Sequence, residues 1–206
     1  MGVASGHSSR QLASALLIFR FAAFASTVPT QSTAAPIDAH PVGAPVTIII
    51  EFGDEYLGSE LYNAKITVLA VVRGEKAWGI VHEASASNPP AKPGFDYLLA
   101  RVRFEFSART SPAHYHYNLN ETQFTATAPE GQEFDAPILD VSPKPQLGGT
   151  LKSGDSVEGW LVFLIPQKVS RPVMVFREDV GVVSHTGGGT WFQIYARPTR
   201  DEKARP

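Results

Sequence analysis

The stretch Tyr97 to Ala108, YLLARVRFEFSA, constrains the fold more than any other part of the chain. Leu98, Ala100, Val102, Phe104 and Phe106 fall on one side of an extended backbone, with Arg101, Arg103 and Glu105 on the other. Period-two alternation is the signature of a strand with one buried and one wet face. The period recurs in VEGWLVFLIP, where Val157, Leu161, Phe163 and Ile165 oppose Glu158, Trp160, Val162 and Leu164. In TWFQIYA, Phe192 and Ile194 oppose Trp191, Gln193 and Tyr195. In ITVLAVVRG, Ile66, Val68, Ala70 and Val72 are expected on one face, and VTIIIEF, QFTATA and VMVF are shorter candidates. NPPAKPG, APEGQE and LKSGDS separate these runs with Gly, Pro and Asx chemistry that breaks strands. Only GEKAWGIVHEA, with Ala77, Ile80 and Val81 near helical spacing, predicts a turn or two of helix.

Strands with one apolar face must cover each other. The pattern predicts an all-β, antiparallel immunoglobulin-like β-sandwich of about seven to nine strands over residues 45–198, with at most one short helix. The Cys…Trp…Cys pattern of antibody domains is absent. With 206 residues, 43% of them hydrophobic, the chain can bury a proper core. It has no cysteine, which excludes disulfides, thiolate metal sites and a cysteine nucleophile. A formal charge of −2 with no basic cluster argues against a nucleic-acid partner.

The first acidic residue is Asp38. Arg10 precedes the apolar run LASALLIF, and Ala23-Phe24-Ala25 supplies small residues at a cleavage position. Residues 1–25 are therefore expected to be a signal peptide, with Arg20 the one residue that disfavours it, and too short an apolar run to span a membrane. Residues 26–44, rich in Pro, Ser, Thr and Ala, read as a disordered linker, and residues 199–206 as a polar tail.

RGEKAW after a strand, NPPAKPGFDYLLARVRF, QFTATAPEGQEFDAP, LGGTLKSGDSVEGWLVFLIP and a closing WFQI follow in a characteristic order. This order resembles a family of small secreted bacterial immunoglobulin-like domains of unknown function, related in fold to telokin and to the mycobacterial immunoprotective extracellular antigen. The resemblance spans Phe52 to Tyr195. Its most specific parts are Arg73-Gly74-x-x-Ala77-Trp78, the proline-rich approach to Gly94 and Tyr97, and Gly154…Glu158-Gly159-Trp160…Phe163…Pro166. It implies an exported or surface-held sandwich with no established catalytic residues. Many members are lipoproteins; the lack of cysteine favours free secretion here. On their own chemistry, Gly154 suits a tight hairpin needing positive φ, and Gly159 inside a strand marks a bulge or a close backbone approach.

The sharpest chemical signal is PAHYHYNLNE, Pro112 to Glu121. On a strand His114, His116 and Asn118 share a face, with the histidine backbones roughly 6.5–7 Å apart. His-x-His followed by Glu121 resembles the first half of a cupin metal motif, giving His114, His116 and Glu121 as candidate ligands. The resemblance is incomplete: a cupin has glycine where this chain has Ala108, and no second motif follows. The alternative reading is thus a metal-dependent cupin-like β-barrel enzyme, against the simpler one of histidines on a solvated sheet face. GDSVEG is one residue longer than a serine-hydrolase elbow and precedes a strand rather than a helix. With no complete catalytic constellation, the expectation is a secreted, non-enzymatic module without a cofactor. Its expected partner is an extracellular protein or a cell-wall or glycan ligand, with no membrane span in the mature chain.

Overall fold

The computed structural model describes residues 39–54, 58–178, 183–184 and 188–195. The expected signal peptide and polar tail lie outside them. In chain order the elements are β1 (Val46–Asp54), β2 (Gly58–Arg73), α1 (Glu75–Ala84), β3 (Phe95–Ala108) and β4 (Tyr117–Leu119). A 3-10 turn (Glu121–Gln123) leads into β5 (Phe124–Thr127), followed by β6 (Gly149–Leu151), β7 (Ser156–Pro166), β8 (Val173–Phe176), β9 (Val183–Ser184) and β10 (Thr190–Gln193). Of these ten strands, β4, β6 and β9 are only two or three residues long.

These strands pair with one another antiparallel. One sheet has the order β7-β3-β2-β1-β9, a second β10-β8-β5, and a third β4-β6. The five-stranded sheet places Ile66, Val68, Leu98, Ala100, Val102, Phe104 and Phe106 in one core cluster. Across from it, the smaller sheets contribute Tyr117, Leu119, Phe124, Ala126, Met174, Phe176 and Phe192 to the same cluster. The Phe104 ring lies 5.4 Å from Tyr117 and 5.8 Å from Phe176, so aromatic contacts bridge the layers. This is the expected all-β sandwich. Among the described residues the sheets do not close on themselves, which corrects the alternative of a cupin-like barrel: β7 is an edge strand.

Alternation behaves as expected along β3 and β7, but it breaks in β2. The pairing shifts between Val68 and Ala70, so Val68 lies opposite Val102, Ala70 opposite Arg101 and Val71 opposite Ala100. Ile66 and Val68 face the core, and after the shift Val71 takes that side while Val72 packs outward. A β-bulge adds one residue and so inverts the faces beyond it.

The outward apolar residues are covered by α1. Ala77 and Val81, four apart on one helix face, are buried against Tyr97 and Leu99. Trp78 is half-buried and stacks on Tyr97 at 5.8 Å. The motif Arg73-Gly74-x-x-Ala77-Trp78 now has a physical basis. Gly74 adopts φ 72 at the corner between strand and helix. Arg73 donates from Nε to Asp96 at 3.1 Å, from Nη1 to the Val169 carbonyl at 2.6 Å and from Nη2 to the Pro166 carbonyl at 3.0 Å.

The chain joins the sandwich earlier than Pro45. His40 N–H donates to Trp191 O, Gln193 N–H to His40 O and Gly43 N–H to Val68 O, each at 2.8 Å. Within residues 39–44, expected in the linker, His40 therefore pairs with the edge of β10 and Gly43 bonds β2. Backbone groups make these bonds, so side-chain composition could not reveal them.

Candidate functional site

The histidine segment runs extended into β4, with its side chains alternating as expected: His114, His116 and Asn118 are exposed, while Tyr117 and Leu119 are buried. Glu60 and Tyr62, two apart near the start of β2, hold its beginning. Tyr62 is fully buried and donates its hydroxyl proton to Glu60 Oε2 at 2.6 Å. His114 N–H donates to the same oxygen at 3.1 Å, and His114 Nδ1 pairs with Glu60 Oε1. Tyr115 N–H donates to the Tyr62 oxygen at 3.0 Å. The Tyr62 hydroxyl, followed by the His114 bonds, holds the Glu60 carboxyl down to about 2. Burial, followed by the neighbouring carboxylate, pushes Tyr62 up.

The candidate ligands His114, His116 and Glu121 are not assembled. The Asn120 side chain caps the 3-10 turn at its start, so the backbone leaves the strand path before Glu121. Glu121 Oε2 instead accepts from Gln146 Nε2 at 2.9 Å. Among the described residues no three His, Asp or Glu side chains are gathered as a metal ion would require. The carboxylate orients the imidazole of His114, whose side chain is 55% exposed. That arrangement fixes the start of the segment against β2.

A different feature is concave and mostly apolar. Between the edges of β5 and β7 opens a groove of about 410 Å³, walled by Phe124, Phe134, Leu161 and Phe163 with Pro137 and Ile138 above. Among the described residues that line it, Glu121 alone is ionisable. Segment 134–142 arches over it. On the inner side Phe134 packs against the main core, and on the outer side Leu139 packs against the cluster under α1. Asn88, 3% exposed, fastens the outer foot of the arch. Its Oδ1 accepts from the Asp140 and Val141 N–H groups at 2.8 and 3.1 Å, and its Nδ2 donates to the Val81 and Val141 carbonyls at 2.8 Å each. Ile138, at the arch's top, is 91% exposed; with Val141 it makes the pair of large exposed hydrophobic residues among the described ones.

Sequence reasoning missed this groove. Asn88 read as a turn breaker, and Ile138-Leu139 sit in a proline-rich loop without periodicity. The one local signal was Gly159. A Cβ there would lie 2.3 Å from Leu147 N and 2.5 Å from Gln146 C. Of the bulge or close approach that this glycine suggested, it is the latter: the strap 145–147 runs alongside β7, where Trp160 N–H donates to Pro145 O at 2.8 Å and Leu147 N–H to Trp160 O at 3.3 Å.

The outward face of β3 and β7 carries an ion-pair lattice. Glu158 meets Arg101 at 2.6 Å and Arg103 at 3.0 Å, and Lys65 meets Glu105 at 2.9 Å. Arg103 and Arg101 hold the Glu158 carboxyl below the usual carboxylate range. Charges satisfied by one another on a half-exposed sheet leave little to offer a ligand.

Residues 63–184 match the domain of unknown function DUF4352. No curated protein matches the chain. Two solved structures are similar in part. The candidate lipoprotein ycdA from Bacillus subtilis subsp. subtilis str. 168 is 15% identical, with 64% of this chain and 36% of that chain covered and a TM-score of 0.45. The yjhA protein from Bacillus subtilis is 16% identical, with 75% of this chain and 98% of that chain covered and a TM-score of 0.46. This chain thus spans little more than a third of the ycdA protein's length. Among the described residues no helix is long and apolar enough to cross a membrane.

Proposed function

We propose that this chain, which belongs to the DUF4352 family of domains of unknown function, is a non-enzymatic recognition module that acts outside the cell by binding a partner in the groove between β5 and β7. The observation that carries this reading is the groove itself: aromatic and aliphatic walls, one carboxylate, and a nearly fully exposed isoleucine at its roof. A binding site needs apolar area and a few polar anchors, whereas a catalytic one needs several titratable groups brought to one point. Action outside the cell rests on the leader-like composition of residues 1–25. The immunoglobulin-like class and kinship to telokin-like domains belong to the same reading, supported by the two-layered antiparallel build.

The test is binding to peptide and glycan arrays by purified protein beside an Ile138→Asp variant. Ile138 makes almost no contact with the fold, so the substitution should leave the melting temperature unchanged. Array binding that disappears in the variant supports the reading. Binding that persists undiminished, or turnover of a hydrolase or oxygenase substrate that one substitution abolishes, overturns it.

A further inference from the structure

We infer that the groove takes an extended, positively charged peptide as an added strand on β7. The inference rests on the groove being the recognition site, and it identifies the occupant from the backbone groups that the edge leaves open. Trp160 turns its N–H and C=O away from β3, toward the strap 145–147. Peptide groups alternate along a strand, so Val162 and Leu164 turn theirs to the same outer side. On the other side, Gln167 N–H donates to Gly94 O at 2.9 Å and Phe106 N–H to Asp155 O at 2.9 Å, so odd-numbered positions face β3. Among the described residues no strand lies beyond β7 in its sheet, and the arch 134–142 makes no backbone hydrogen bond to Val162 or Leu164.

The protein itself begins such a pairing and abandons it. Gln146 forms a parallel bridge with Trp160, after which Gly148 and Gly149, at φ 149 and 130, carry the chain off to pair with β4. The groove starts where the strap leaves, at Leu161 to Phe163, and a second cavity of about 120 Å³ continues it past Leu164 to Pro166, with Phe134 common to both. That edge is roughly 17 Å long at about 3.3 Å per residue, room for a segment of five or six residues. A ligand strand would continue the strap's own ladder, with alternate side chains entering the apolar walls.

Charge selects among such strands. The charged residues lining the two cavities are Glu121, Glu133, Asp135 and Lys92. Glu133 pairs with Arg177 at 2.8 Å, and Lys92 lies over the Phe95 ring at 4.1 Å. Glu121 and Asp135 are left without a cation among the described residues. Lysine or arginine at the outward positions of the incoming strand would meet them.

The probe is the hexapeptide acetyl-Lys-Val-Lys-Val-Lys-Val-amide, titrated by calorimetry at low salt into the whole chain. Its companions are a Glu-for-Lys analogue and an analogue N-methylated at the residues that would bond to β7. Val162→Pro removes the outward N–H of Val162 without breaking a bond to β3, so the ladder between β3 and β7 survives. The expected result is saturable binding that slows hydrogen exchange at the Val162 and Leu164 amides. Val162→Pro, N-methylation and the charge reversal should each weaken it by at least about tenfold. Equal binding of the N-methylated peptide, or protection elsewhere but not at Val162 and Leu164, overturns strand addition. So does the absence of binding at millimolar peptide; if Ile138→Asp still abolishes array binding, the groove remains the recognition site and only the occupant was wrong. The N-methylated arm decides the matter even if Val162→Pro fails to fold.

Discussion

Replacing Gly159 with alanine should cost far more than a methyl group in a strand ordinarily does. The new Cβ would sit 2.3 Å from Leu147 N, 2.5 Å from Gln146 C and 2.6 Å from Leu147 Cα. All three are backbone atoms, so no rotamer change relieves the clash, and the strap must retreat by about an ångström to reach ordinary contact. That displacement breaks the bonds from Trp160 N–H to Pro145 and from Leu147 N–H to Trp160, now 2.8 and 3.3 Å long. Two backbone bonds at about 1 kcal/mol each, with about 1–2 kcal/mol for loosened packing at Leu147, give a loss of about 3–4 kcal/mol. Leu147 is 1% exposed at present, so that packing is there to lose. Gly154→Ala is the control, since Gly154 has φ +96 but nothing within 4 Å of its added Cβ. It should lose only about 1 kcal/mol, from the left-handed backbone. Urea titrations of both variants give the comparison, and the melting temperature of Gly159→Ala should fall by about 8–12 °C. Hydrogen exchange at the Leu147 and Trp160 amides should quicken in Gly159→Ala alone. A Gly159→Ala protein within about 1 kcal/mol of the Gly154→Ala control would refute the reasoning, because the strap would then not press on β7 as described.

Three further outcomes are expected. Glu60 titrates near 2 in the folded protein against an ordinary value of 4.5, so its contribution is complete above pH 4.5 and is lost as pH falls toward 2. Glu60→Gln should flatten the pH dependence of urea stability across that window, with Glu158, also depressed, keeping part of the slope. Arg73→Ala removes a half-buried guanidinium that bonds Asp96 and the carbonyls of Pro166 and Val169. It should destabilise by about 2–3 kcal/mol in urea titration, and Arg73→Lys should recover less than half, lacking the planar fork. Asn88→Ala releases the outer foot of the arch and should lower stability by about 2–3 kcal/mol; the Val141 amide, which now donates to Asn88 Oδ1, should exchange faster.

The strands were legible because burial on one face imposes period two on side chains that a reader of the sequence can see. Leu98 to Phe106 and Val157 to Ile165 needed nothing more. The histidines' exposure followed from the same rule, since His114 and His116 share a parity opposite to Tyr117 and Leu119. What the sequence could not show for the candidate ligand Glu121 is that the cap at Asn120 turns the chain before it and that its bond comes from Gln146, 25 residues away. The bulge after Val68 was equally hidden: Ala70 and Val72 look like their predecessors and differ only in what lies opposite.

By itself, the sequence determined that this chain forms antiparallel ribbons closing over a dry interior, that a short helix interrupts them after Arg73, and that Gly159 marks either a bulge or a close approach. Tertiary structure alone decided what presses there, where the arch 134–142 lands and which edge of β7 stays open. The physical reason is one of range. Side-chain polarity records each residue's depth and repeats at short intervals along the chain, whereas the groove is made by backbone groups and loop crossings between segments far apart, whose hydrogen bonds leave almost no mark on residue type.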